Sequence, residues 1–147
     1  MSMMQNKELV RSYIEEVFNQ GNFSAVDKYL SPSFIDHNPF TKELPMGPKG
    51  QAEFSRLMRE AFADFHVDIQ DIIAEGDKVA NRITASGRHK GEFLGIAPTQ
   101  KEVSWQVMAF LRVENGKIVE RWATQDLMGL LKELGVAPEK MVPAGVR

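Results

Sequence analysis

The hydrophobic repeat of this chain changes period near Asp64, and that change constrains the fold more than any other feature. Before it, Leu9, Val10, Tyr13, Ile14, Val17 and Phe18 recur at helical spacing, with Gly21-Asn22 as the stop. Residues 23–30 read as a short second helix closed by Ser31-Pro32. Phe54, Leu57, Met58, Ala61 and Phe62 mark a third. After Asp64 the period is two: Phe65, Val67 and Ile69 alternate with His66, Asp68 and Gln70. Residues 79–89 and 103–113 continue as strands, and Glu114-Asn115-Gly116 is a tight hairpin signal leading into the last strand. A final helix follows from Leu127. Residues 34–38 form an isolated short strand, and residues 41–50, with two prolines and two glycines, form a loop able to act as a flap. Helices first and antiparallel hairpins afterwards specify an α+β fold: a curved, mostly antiparallel sheet with three to four helices on its concave side. A chain of 147 residues suits one domain, with the core expected over about residues 6–138 and a loosely held tail from Val136.

Several function classes are disfavoured at once. A net charge of -2 with both signs dispersed leaves no footprint for nucleic acid or an anionic membrane surface. There are no cysteines, hence no disulfide, thiol nucleophile or thiolate site. Three histidines with no close pair make a poor metal-ligand set, so no metal or other cofactor is expected. No apolar run approaches a membrane span and no signal peptide is visible, which makes a cytoplasmic protein the expectation.

The chemistry is sought first in residues 116–127. Alternation puts Glu120, Trp122, Thr124 and Asp126 on one strand face, with the Asp126 carboxylate at a strand-to-helix corner beside an indole. A carboxylate against apolar surface has its charged form disfavoured and becomes a usable proton carrier. Asp is equally a favoured N-cap, and Asp126 stands one position before an apolar helical run. Spacing alone leaves both readings open.

At this point the pattern resembles a known family. The matching pieces are residues 13–22, Asp36-His37-Asn38-Pro39, residues 87–99 and residues 116–122, running on to Asp126, Gly129 and Leu130. They look like the SnoaL-like polyketide cyclases, often called ester cyclases, within the nuclear transport factor two-like superfamily. The resemblance implies a cone-shaped α+β fold and a cofactor-free aldol ring closure, with Asp126 as general acid/base. Two departures stand out. Arg121 replaces a His common just before the Trp, and alternation points Arg121 away from the Asp126 face. The strand of residues 105–110 lacks a His that the polyketide cyclases place facing the acid; Gln106 there could bond a carbonyl but could not carry a proton.

His37 and Asn38 end a strand ahead of the flexible loop, where they could orient a ligand carbonyl. His89 runs into a second loop, and its family position implies a pocket role. Trp122 can stack on a flat ligand, and Met108 suits an adaptable wall. The expectation is an internal apolar cavity for a small hydrophobic, polyketide-like substrate. Asp126, His89 and His37 are the catalytic candidates, with Asn38, Gln106, Met108 and Trp122 contacting substrate. The alternative is a non-catalytic carrier of a small hydrophobic ligand. A hydrolase lacks a clear set of acids. Trp105, Val107, Ala109 and Leu111 share one sheet face that wants a cover, so a homodimer through the sheet is expected.

Overall fold

The computed structural model describes residues 2–136; the tail read as loosely held lies, apart from Val136, outside them. Helix α1 (Met3–Tyr13) opens on a capping box, in which Ser2 Oγ accepts from the Gln5 backbone N–H and the Gln5 side chain accepts from Ser2 N. That cap starts the helix well ahead of its apolar stripe. Its continuation, Ile14–Asn19, is a π-helix. The wider turn is held from across the molecule: the Asn19 amide donates to the Val67 carbonyl at 3.0 Å and accepts from the Val67 N–H at 2.7 Å. Gly21 ends the segment at φ +70°, a conformation costly for any other residue. Arg59 lies against it and donates to the Phe18 and Asn19 carbonyls, satisfying the helix end.

The second helix of the sequence reading is a 3₁₀ turn, Phe23–Ala25, followed by α2 (Val26–Tyr29). Strand β1 (Leu30–Asp36) starts earlier than expected because it lies parallel to the last strand from Leu30 onward. Helix α3 (Pro48–Ala61) has Pro at its first position, where the missing N–H costs nothing. Strands β2 (Phe62–Glu75), β3 (Lys78–His89), β4 (Glu102–Glu114) and β5 (Lys117–Gln125) follow, then α4 (Leu127–Glu133). The sheet order is β1-β5-β4-β3-β2, antiparallel except for β1 on β5. At the Asn115-Gly116 hairpin both residues have positive φ, as the sequence signal requires.

Residues directly opposite across an antiparallel ladder share a face. Val67, Ala85 and Trp105 form one such row; Ile83, Val107 and Gln125 form the next, then Asn81, Ala109 and Ala123, and then Leu111 with Arg121. This is the face that the helices cover. Trp105, Val107, Ala109 and Leu111, expected to be open for a partner, are all buried within the chain itself. The other face carries Met108 and Phe110, both 54% exposed. At one end of the inner face Phe62 (1% exposed) packs against Phe65, His89, Phe93 and Trp105.

Candidate functional site

A cavity of about 70 Å³ lies between the inner sheet face and the helices. Most of its wall is apolar: Ile14 and Phe18 from the π-helix, Phe54 and Met58 from α3, and Val107 and Leu111 from β4. The π-helix thus supplies two wall residues, fitting the tendency of such turns to sit at functional sites. The polar members are Tyr13, Gln51, Asn81, Arg121 and Gln125, with the Trp105 indole. Among the described residues no carboxylate and no imidazole lines it.

The polar side chains are ordered by one another. Trp105 Nε1 donates to Gln125 Oε1 at 3.1 Å. The Tyr13 hydroxyl donates to Gln51 Oε1 at 3.0 Å, Gln51 Nε2 donates to Asp36 Oδ2 at 2.8 Å, and Arg121 Nη1 donates to the same oxygen at 2.9 Å. The Asn38 backbone N–H caps the other Asp36 oxygen at 2.9 Å. The Arg121 and Asp36 side chains are only 13% and 12% exposed, so the pair exists in a setting where a lone charge would be costly. Burial pushes the Tyr13 phenol well above its ordinary value, with Arg121 lowering it and Asp36 raising it further. Tyr13 therefore stays a neutral donor throughout the working pH range. Asn81 Oδ1 is buried and, among the described residues, has no hydrogen-bond partner.

The residues singled out by sequence occupy other places. Trp122 does share a face with Glu120 and Thr124, but it is the outer face: Trp122 pairs with Phe110, and Thr124 with Met108. The Trp122 indole stacks on the His37 ring, centroids 4.8 Å apart and planes 7° from parallel. His37 Nε2 meets Glu120 Oε2 at 2.8 Å. That bond, with Arg112 second, holds the Glu120 carboxyl below its ordinary value. Asn38 Oδ1 accepts from the Ala123 N–H at 2.9 Å, tying β1 to β5. Gln106 and Met108 belong to the outer face, although the Gln106 carbonyl accepts from the Asp126 N–H at 2.8 Å.

Asp126 is exposed and caps α4, its Oδ1 accepting from the Gly129 N–H at 2.9 Å. It is not among the cavity-lining residues. His89 is fully buried, also off the cavity wall. Its Nδ1 accepts from the Thr99 N–H at 3.1 Å, which puts the ring proton on Nε2, and Nε2 has no partner among the described residues. Arg121, Tyr13, Gln51 and Asn81 were not proposed from sequence. The signal available for Arg121 was its place in the alternation, opposite to Trp122.

The loop after β1 closes over this end. Phe40 packs on Phe54 and Phe93, with centroids 5.4 and 5.7 Å apart. Beneath the loop lies a groove of about 290 Å³, bounded by Phe34, Asp36, Pro39, Leu44 and Met46. Gln51 lines both spaces. Among the described residues no three of His, Asp and Glu form a metal-binding group, and no helix is long and apolar enough to cross a membrane.

Comparison with known proteins places this architecture. Residues 8–134 match the family model of the SnoaL-like polyketide cyclases. Over 122 residues the chain is 30% identical to the nogalonic acid methyl ester cyclase of Streptomyces nogalater, covering 80% of this chain and 89% of that one. It is 27% identical to the aklanonic acid methyl ester cyclase DnrD of Streptomyces peucetius, over 87% of this chain and 89% of the relative. Among solved structures, TsrD from Streptomyces laurentii superposes with a TM-score of 0.84 at 25% identity, covering 92% of this chain and 98% of that chain. AclR from Streptomyces galilaeus, a proposed hydroxylase, gives 0.80 at 32% identity over 99% and 93%. With the family model spanning nearly the whole described fold, this chain belongs to the SnoaL-like polyketide cyclases.

Proposed function

We propose that this protein is a cofactor-free cyclase that closes a ring by aldol-type chemistry on a small polyketide-like substrate bound between the helices and the inner sheet face. The observation that carries the reading is the cavity itself: apolar on most sides, with one polar wall of mutually ordered side chains at Arg121, Tyr13 and Gln51. Such a wall can hold a carbonyl while apolar contacts fold the rest of the chain into near-attack geometry, which supplies a large part of the rate. In its closed form the cavity is smaller than the roughly 300 Å³ usual for ligand sites. The groove on the far side of Gln51 offers the missing room once Gln51 and Phe40 move aside.

The resemblance supplies Asp126 as the proton carrier. Its exposed cap position stands against that role, while its Oδ2, which accepts no hydrogen bond among the described residues, and its place next to Gln125 keep it testable. A second reading, a carrier of small hydrophobic molecules, is favoured by the lack of a carboxylate or imidazole on the wall among the described residues. The test is incubation with a polyketide-type 1,3-dicarbonyl methyl ester, following ring closure by chromatography and NMR. Turnover by the wild type supports the cyclase, and tight binding with the ester returned unchanged supports the carrier. Asp126→Asn keeps a good cap, so its loss of turnover would assign the proton to Asp126. We further propose a homodimer through the outer face, where Met108 and Phe110 are exposed; a monomer in solution scattering at micromolar concentration would refute it.

A further inference from the structure

The described cavity wall holds no group able to take a proton from carbon, yet it holds a guanidinium. Arg121 is half of a nearly buried ion pair, and the pair is geometrically fixed: Asp36 Oδ2 receives both Arg121 Nη1 and Gln51 Nε2, while its Oδ1 receives the Asn38 N–H. With both oxygens held by these donors and off the cavity wall, Asp36 is suited to hold Arg121 in place. Arg121 has five N–H donors, and among the described residues only Nη1 is engaged, so a planar set of donors remains beside the cavity. On the same face, Asn81 presents a buried acceptor with no partner among the described residues. An unpaired buried acceptor costs free energy that a ligand hydroxyl would recover.

We propose that Arg121 is the oxyanion donor of this site, with Asp36 as its positioning residue, and that the site takes an enolisable 1,3-dicarbonyl as its enolate. The inference rests on the cyclase reading and names the group that makes it possible without a base on the wall. The C–H between the two carbonyls breaks and its proton goes to water. The electron pair spreads over carbon and the two carbonyl oxygens, one of them against Arg121. The enolate carbon then forms the C–C bond to a second carbonyl carbon of the same molecule. That carbonyl's π pair becomes an alkoxide, which takes a proton from water, and the new O–H donates to Asn81 Oδ1. Charge stabilisation by a prepositioned donor in a partly dry site is the larger part of catalysis in many acyl and enolate reactions. Arg remains charged at all working pH, so it can supply that charge continuously.

The probe is 2,4-pentanedione, a small 1,3-dicarbonyl. Binding is read from the Trp105 indole N–H by NMR, and its ionisation when bound from the ultraviolet enolate band. On the wild type the probe's acid titration should shift down by at least one pH unit. The double variant Asp36→Leu with Arg121→Met removes both charges together, so no buried charge is stranded, and thermal unfolding by circular dichroism verifies its fold. It should still bind the probe but lose the shift. Asp36→Asn should keep part of the shift, and Arg121→Lys should keep less than the wild type because the donor plane is gone. Binding without a shift, no binding, or a shift that survives the double variant would overturn the inference. Turnover of the methyl ester despite an unshifted probe would leave the cyclase reading standing without Arg121 as donor. A shifted probe with no turnover would do the reverse.

Discussion

Strand β5 presents two kinds of surface from one run of residues. On its inner side Arg121, Ala123 and Gln125 face helices, and Arg121 and Gln125 are fixed by Asp36 and by the Trp105 indole. On its outer side Glu120 and Trp122 meet His37, Arg112 and solvent. Both sides hold charges and aromatics in hydrogen-bonded or stacked arrangements, so local chemistry does not distinguish a site from a surface. What distinguishes them is enclosure. Inside, each polar group is in a setting where losing its partner is expensive; outside, water replaces any partner that is removed. The two faces should therefore respond very differently to the same kind of substitution.

The largest effect is expected at the closed end of the inner face. Phe62→Ala removes a fully buried ring that packs against Phe65, His89, Phe93 and Trp105, and should cost about 4 kcal/mol in chemical denaturation. A cost near 1 kcal/mol would show that the cluster collapses around the gap. Next comes Asp36→Ala, which strands the Arg121 guanidinium in a nearly buried site. The expected loss is about 3 kcal/mol, well above that of the double variant Asp36→Leu with Arg121→Met. Equal losses for the two would mean that water reaches Arg121, and the contrast between faces would fail.

The strands, their order of appearance and the hairpins were readable because the period of two and the Asn115-Gly116 signal are local properties of the chain. The alternation also correctly groups Glu120, Trp122 and Thr124 on one face. It cannot say which face the helices cover. Counting pairs outward from the hairpin, with Glu114 opposite Lys117, would set Leu111 opposite Glu120 and turn Trp122 inward. Instead the ladder slips: Val113 pairs with Ile118 but Arg112 pairs with Glu120, leaving Val119 as an extra residue. One such bulge reverses every side chain beyond it. Its trace in the sequence is the adjacent apolar pair Ile118-Val119, both buried, where strict alternation would expose one. The π-helix is equally hidden, since it depends on Asn19 bonding to Val67 across 48 residues.

Asp126 sharpens the comparison at intermediate size. As a cap on an exposed helix start, Asp126→Ala should cost about 1 kcal/mol and Asp126→Asn almost nothing by thermal melting. A loss of several kcal/mol from Asp126→Asn would reveal that its charge, and not its cap bond, is what α4 requires.

The smallest effect is expected on the outer face, and its sign is set by Glu120. Hydrogen bonding from His37, then Arg112, holds this carboxyl below its ordinary value near 4.5 in the folded protein. A depressed carboxyl contributes stability that is complete above the unfolded value and is lost as pH falls through the folded one. Glu120→Gln should therefore lower stability slightly at neutral pH, and its melting curve should converge on that of the wild type as pH falls below the unfolded value and through the lower folded one. Because the ion pair is reached by solvent, added salt should shrink the neutral-pH difference as well. A difference that persisted at low pH and high salt would mean that Glu120 matters through packing around the His37–Trp122 stack. The outer face would then share the enclosure that makes the inner one a site.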